Sequence, residues 1–277
     1  MKEVSLALGG GGARGLAHLK VLEFFDREGI RVSKISGSSI GAVVGALYAS
    51  GLSALEIQEK LHQYLILKND RKRNIFKKLP NVLSWFSMLN MDLREPGIIK
   101  ADSFLKKFMS DLESKRFEDL KVPLTIITTN YWTGEEVAFD SGPLMPALLA
   151  SSAIPGMFPA VEHQGMVLVD GSLSNYVPFS HWLEDESVTV AVDVASDRTQ
   201  VDPHLPKIRE AAEGMFDIVF DRMIQKQMET ATPDIYFRPG IKGVSILDFD
   251  KIDSIYQQTE LALPELQRLC REKGLEL

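Results

Sequence analysis

Hydrophobic and polar positions change period several times in the first sixty residues. Val4 to Leu8 is a short, apolar, β-prone run cut off by glycines, which predicts a buried strand ending in a tight loop. From Arg14 to Arg27, Leu16, Leu19, Val21, Leu22 and Phe25 fall near helical spacing, and Gly29 suits a helix C-terminus. Arg31 to Ser36 reads as a second strand. Ile40 to Ser50 is apolar almost all round, so it predicts a buried helix, with Gly51 as its stop. Ser53 and Glu56 have the spacing of a capping box at the start of the next helix.

Strand, helix, strand, helix in this order predicts an α/β fold: three layers, α/β/α, around a mostly parallel central sheet. VPLTIITTN (122–130) continues the pattern as a buried strand, and Thr133-Gly134 predicts a hairpin after it. MVLVDGS (166–172) and SVTVAVDV (187–194) read as further strands, IYFR (235–238) as an edge strand, and 203–230 and 250–273 as helices.

Composition narrows the picture little. The chain has 277 residues, 45% hydrophobic and 25% charged, which suits one large globular domain over 1–277 without long disorder. A net charge of −7 disfavours a nucleic-acid partner. The single cysteine, Cys270, lies in a helical pattern and fits a reducing, cytoplasmic setting. The longest apolar stretch, Ile40 to Ala49, falls far short of the roughly 20 residues that cross a bilayer. Contact with a membrane is therefore expected to be peripheral at most.

One segment departs from the acidic average. Residues 68–78 (KNDRKRNIFKK) carry six basic side chains against one acidic, and VLSWFSMLNM (82–91) follows, rich in large apolar residues. Two readings fit. One is a solvated helix end followed by an ordinary amphipathic helix. The other is a basic, aromatic flap over 68–91 that touches anionic lipid or covers an apolar cleft.

Candidate chemistry starts at the glycines. Gly10-Gly11-Gly12-Ala13-Arg14-Gly15 has the GxGxxG spacing between a strand and a helix. A dinucleotide site wants an acidic residue at the end of the second strand, and that strand ends in Gly37-Ser38-Ser39 instead. A P-loop fails too, because Leu16 follows Gly15 where lysine is required. The glycines can still aim backbone N–H groups at one compact negative charge beside a helix N-terminus. GSSIG (37–41) supplies a matching partner. Glycines 37 and 41 around Ser39, after a strand and before a helix, form the GxSxG nucleophile-elbow pattern, with Ser38 structural. Both features sit on consecutive strands and are expected at the same sheet edge.

The chain holds five histidines that could act as the base: His18, His62, His163, His181 and His204. His18 reads as a packed residue of the first helix, His62 as part of a polar helix and His163 as part of a turn, EHQG, while neither His181 nor His204 sits in a strand-end turn with glycines. Asp170, followed by Gly171 at the end of an apolar strand, is the stronger candidate. A buried carboxylate beside a serine can act as base if burial raises its pKa.

Four blocks then resemble one family. GGGGARGLAHLKVL (9–22), GSSIGAVVGALYASG (37–51), ALLASSAIPGMFPAV (147–161) and VDGSLSNYVP (169–178) are similar to the patatin-like phospholipases of compact bacterial type. The resemblance implies a serine–aspartate dyad acyl hydrolase that needs no metal or cofactor, acting on phospholipids or related acyl esters. By position, it makes Ser39 the nucleophile and Asp170 the base. Gly10, Gly11, Gly12 and Arg14 fall in the oxyanion-hole loop. Pro155, Phe158 and Pro159 are expected to shape the cleft wall. The family usually carries Asp-Gly-Gly or Asp-Gly-Ala where this chain has Asp170-Gly171-Ser172. Two other classes remain in view: an idle scaffold or regulator on the same fold, and a dinucleotide-binding oxidoreductase.

Overall fold

A computed structural model describes residues 3–62, 109–182, 187–197, 205–206, 208–246 and 248–275. The segment 68–91, with both readings of it, lies outside the described residues.

In chain order the elements are β1 (Glu3–Leu8), α1 (Ala17–Glu28), β2 (Arg31–Ser38), α2 (Ile40–Ala49), α3 (Ala54–His62), β3 (Leu124–Asn130), β4 (Glu136–Phe139), α4 (Leu144–Ser151), β5 (Val161–His163), β6 (Met166–Asp170), β7 (Val188–Val192), α5 (Ile208–Met228), β8 (Ile235–Phe237) and α6 (Ile252–Glu272). All eight strands join one sheet in the order β5-β6-β3-β2-β1-β7-β8, with β4 paired to β3 beside this path. Five neighbouring strands, β3-β2-β1-β7-β8, run parallel. β6 and β4 pair antiparallel to β3, and β5 antiparallel to β6. The expected α/β/α layering follows from side-chain alternation along the parallel strands. Leu6 and Leu8 of β1 and Val190 and Val192 of β7 face the larger apolar cluster, with Leu19 and Leu22 of α1, Val43 of α2 and Leu266 of α6. Ala7 and Ala191, one residue out of phase, face the other side and pack with Phe220 and Ile224 of α5. The small alanines let α5 lie close to that face.

Several sequence expectations meet local adjustments. Residues Gly12–Leu16 form a 3-10 turn and α1 begins only at Ala17. Gly29 caps α1 in the left-handed region, at φ 67°. The capping box at Ser53 is present, with the Ser53 N–H donating to Glu56 at 2.8 Å. The strand expected over 166–172 stops at Asp170, where a 3-10 turn over Gly171–Leu173 takes over. β5 and α4 were not anticipated; His163, expected in a turn, closes β5 just before it. Among the described residues no single helix is long and apolar enough to cross a membrane.

Candidate active site

Strand register decides what meets at the C-terminal edge of the parallel strands. Leu8 pairs with Gly37, Ser38 with Ile127, and Thr128 with Asp170. The glycine loop after β1, Ser39 after β2, and the end of β6 therefore stand level across four adjacent strands. β6 reaches this level from the opposite direction, since it runs antiparallel to β3. Its last residue, Asp170, is consequently delivered beside Ser39.

Ser39 sits between β2 and α2 at φ 54°, ψ −126°, one of two non-glycine residues with positive φ among those described. This is the strained corner that a nucleophile elbow requires. It is closed from three sides. A Cβ on Gly37 would lie 2.6 Å from the Ala42 nitrogen, and one on Gly41 only 2.2 Å from the Leu8 carbonyl oxygen. The Ser39 N–H donates to Ser151 Oγ at the end of α4, at 2.9 Å. Ser38 points away and donates to the Asn175 carbonyl.

Ser39 Oγ donates to Asp170 Oδ2 at 2.6 Å, and both side chains are buried. The other carboxylate oxygen, Oδ1, accepts the Ser172 N–H at 2.9 Å. The Asp170 main chain is pinned as well: its N–H donates to Ala153 and its carbonyl accepts from Thr129 Oγ1 at 2.8 Å. Gly171 allows the close approach to β3, since a Cβ there would lie 2.0 Å from the Ile127 carbonyl oxygen. Burial raises the Asp170 carboxyl from 3.8 to about 6, with the Ser39 and Ser172 hydrogen bonds pulling in the opposite direction.

The glycine loop divides its labour more finely than its sequence indicates. Gly10 was expected to offer its N–H to an oxyanion, but that N–H already donates to the Tyr176 carbonyl at 3.2 Å. Gly10 instead supplies space: a Cβ there would lie 3.4 Å from the Ser39 Cβ. Gly11 and Gly12 line the cleft beside Ser39 and Asp170, and no described residue accepts their N–H groups. Arg14 turns its side chain away from the cleft, into a buried two-pronged pair with Asp217 of α5 at 2.7 and 3.1 Å. Its guanidinium clamps α5 onto the loop. His18 is buried, and burial lowers its pKa to about 4. Neutral His18 donates Nε2–H to the Gly9 carbonyl at 2.8 Å, bracing the loop from behind.

The remaining histidines stand apart from Ser39. His62 packs edge-on to Tyr256 and His163 edge-on to Phe139. His181 pairs with Glu136 at 2.6 Å, and His204 lies outside the described residues. Above the Ser39–Asp170 pair opens a narrow cleft, with a cavity volume of about 30 Å³. Ile154, Pro155, Leu173, Phe216, Phe220 and Ile246 form apolar walls. Pro155 is thus placed as expected, whereas Phe158 packs against the main core. Sequence reasoning missed Ser151, Phe216 and Phe220. Ser151 lies inside a quoted block and carried no distinguishing mark; the two phenylalanines share a face of α5, four residues apart, and that spacing was the available signal.

A family model described as Patatin-like phospholipase matches residues 6–181, a span that holds every element around the Ser39–Asp170 pair except α5 and Ile246. An uncharacterized NTE family protein of Mycobacterium tuberculosis is 33% identical over 177 residues, covering 64% of this chain and 44% of the relative. Lysophospholipase NTE1 of Saccharomyces cerevisiae is 26% identical over 277 residues, covering 91% of this chain and 16% of the relative. The chain spans less than half the length of these curated relatives. Among solved structures, VipD from Legionella pneumophila aligns with a TM-score of 0.49 at 14% identity, over 95% of this chain and 67% of that one. ExoU, solved with SpcU from Pseudomonas aeruginosa, aligns with a TM-score of 0.34 at 17% identity, over 99% of this chain and 59% of that one. With well over half of its residues matched by that family model, the chain belongs to the patatin-like phospholipase family.

Proposed function

We propose that the chain is a serine acyl hydrolase that cleaves carboxylic ester bonds of phospholipids, lysophospholipids or related acyl esters through Ser39 and Asp170. The observation that carries this reading is the buried 2.6 Å hydrogen bond from Ser39 Oγ to Asp170 Oδ2, made from a strained elbow at φ 54°. The names of the relatives point to the same ester chemistry.

In the proposed reaction the acyl chain lies along the apolar cleft walls. Asp170 accepts the Ser39 proton as Oγ attacks the ester carbonyl. The N–H groups of Gly11 and Gly12 receive the developing oxyanion, each stabilising it by about 3 kcal/mol. Protonated Asp170 returns its proton to the leaving alcohol. Water then gives a proton to Asp170, attacks the acyl-serine, and the free acid departs as Ser39 is regenerated. A two-residue arrangement needs a carboxyl that is basic enough, and the rise to about 6 supplies that basicity near neutral pH.

The purified chain should hydrolyse p-nitrophenyl acyl esters, and Ser39→Ala should abolish that turnover. Wild-type rates in Ser39→Ala would end the reading. Peripheral contact with anionic membrane, through residues 68–91, belongs to the same proposal and is tested by the salt dependence of vesicle binding.

A further inference from the structure

α5 is apolar on two sides. Its inner side, with Phe220 and Ile224, packs against the sheet. A helix covered on one side only is normally polar on the other. The outer side of α5 instead exposes Met215, Ile218 and Val219, at 53, 53 and 45%. Each stands within two residues of Phe216 or Phe220, which line the cleft above Ser39 and Asp170. Leu173 lines that cleft too and is 36% exposed, so the apolar wall reaches the surface. Exposed apolar side chains scattered singly are ordinary, but a group gathered around one cleft marks a contact surface.

Charge indicates what covers this face. From Met215 to Lys226 the acidic residues are Asp217 and Asp221. Both are engaged by arginines from other elements, Asp217 by Arg14 and Asp221 by Arg238, each at 2.7 Å. The outer face keeps Arg222 and Lys226, both exposed, in a chain of net charge −7. Arg222 donates to the neutral Gln225, and Lys226 pairs with Glu229 in solvent, where such a pair is weak. With Ile218, Val219 and Met223 these cations line a groove of about 750 Å³ beside α5. Apolar side chains flanked by cations match the layering of a lipid surface, where anionic headgroups lie over acyl chains.

We propose that the outer face of α5 docks on a membrane carrying anionic phospholipid, with Met215, Ile218 and Val219 at the acyl boundary and Arg222 and Lys226 at the headgroups. This surface is distinct from 68–91. The proposal rests on the lipid-hydrolase reading and names the surface that delivers its substrate, which passes from the bilayer into the cleft beside Leu173.

The test is sedimentation with vesicles of phosphatidylcholine, with and without phosphatidylserine. It compares wild type, the double variant Ile218→Glu/Val219→Glu, Arg222→Gln and Ile218→Trp, with thermal unfolding to check that each is folded. The double variant should bind phosphatidylserine vesicles about 10-fold more weakly or worse, since burial of each aliphatic side chain is worth that factor. Arg222→Gln should lose about fivefold at low salt, and only on vesicles with phosphatidylserine. Ile218→Trp should bind more tightly, its fluorescence moving to the blue on binding. Turnover of a soluble p-nitrophenyl ester should match wild type in all three, while phospholipid hydrolysis in the vesicles falls or rises with binding. Wild type that binds neither vesicle, or a double variant that binds like wild type, would overturn the proposal. So would a dimer of wild type that the same substitutions dissociate, which would assign the face to a second copy. If the double variant also loses soluble-ester turnover, its substitutions have damaged the cleft, and Arg222→Gln and Ile218→Trp decide. If the binding results hold but wild type turns over no ester, it is the hydrolase reading that fails.

Discussion

Replacing Asp170 by Asn should make the protein inactive and, at alkaline pH, more stable. The carboxyl is buried, and its folded-state value is raised from 3.8 to about 6. A carboxyl raised on folding favours the native state while protonated, below its unfolded value, and that advantage is lost as pH rises through the folded value. At pH 8 the ionised group therefore costs the native state about 3 kcal/mol relative to a residue that does not titrate, and at pH 4.5 about 1 kcal/mol. Asn keeps an acceptor for the Ser172 N–H and removes the charge. Its amide donates where Ser39 Oγ formerly gave its proton, so no base remains. The assay is urea or thermal unfolding of both proteins at pH 4.5 and pH 8, alongside ester turnover. Asp170→Asn should gain up to about 3 kcal/mol at pH 8, a Tm rise of roughly 5–10 °C, and visibly less at pH 4.5. Turnover should fall about 10³-fold. A variant less stable than wild type at pH 8, or a stability difference independent of pH, would refute the view of Asp170 as a strained, buried base.

The same carboxyl predicts that kcat/KM falls tenfold per pH unit below about pH 6, because the base must be ionised in the free enzyme; a flat profile down to pH 5 would contradict it. Asp217→Ala should destabilise the protein by about 3–5 kcal/mol by leaving Arg14 charged and unpaired in the interior, and a urea titration showing under 1 kcal/mol would show the clamp to be unimportant. Ser151→Ala removes the acceptor of the Ser39 N–H, so stability should drop by about 1–3 kcal/mol together with ester turnover, both read on the purified variant; unchanged turnover would mean the elbow holds without it. Binding to anionic phosphatidylserine vesicles should weaken as salt rises from about 0.05 to about 0.5 M, where the Debye length has shrunk well below 10 Å; salt-independent or absent binding would count against contact through 68–91.

The parts of the site that are local in sequence were readable from it. Ser39 lies between two glycines within five residues, and a strand and an apolar helix flank it, so both its corner and its sheet edge follow from patterning. The order of strands and helices likewise announces a parallel α/β sheet. The relations that were not readable all cross long stretches of chain. Nothing in VLVDGS reveals that β6 runs antiparallel to β3, yet that direction and its register set Asp170 level with Ser39 from 131 residues away. Arg14 has a partner 203 residues on, and only packing of α5 against the loop chooses it over the other acidic residues. The four glycines 9–12 look alike as letters, and their neighbours alone assign Gly10 to space and leave the Gly11 and Gly12 amides without an acceptor among the described residues. β5, three residues long, is held by pairing to β6 and leaves too short a pattern to detect.

The most direct test of the account is covalent labelling with a fluorophosphonate, followed by peptide mapping. Wild type should acquire one adduct, on Ser39; Ser39→Ala should acquire none, and Asp170→Asn should label far more slowly. An adduct on any other residue, or undiminished labelling of Ser39→Ala, would contradict the claim that the hydroxyl at the elbow, activated by Asp170, is the nucleophile.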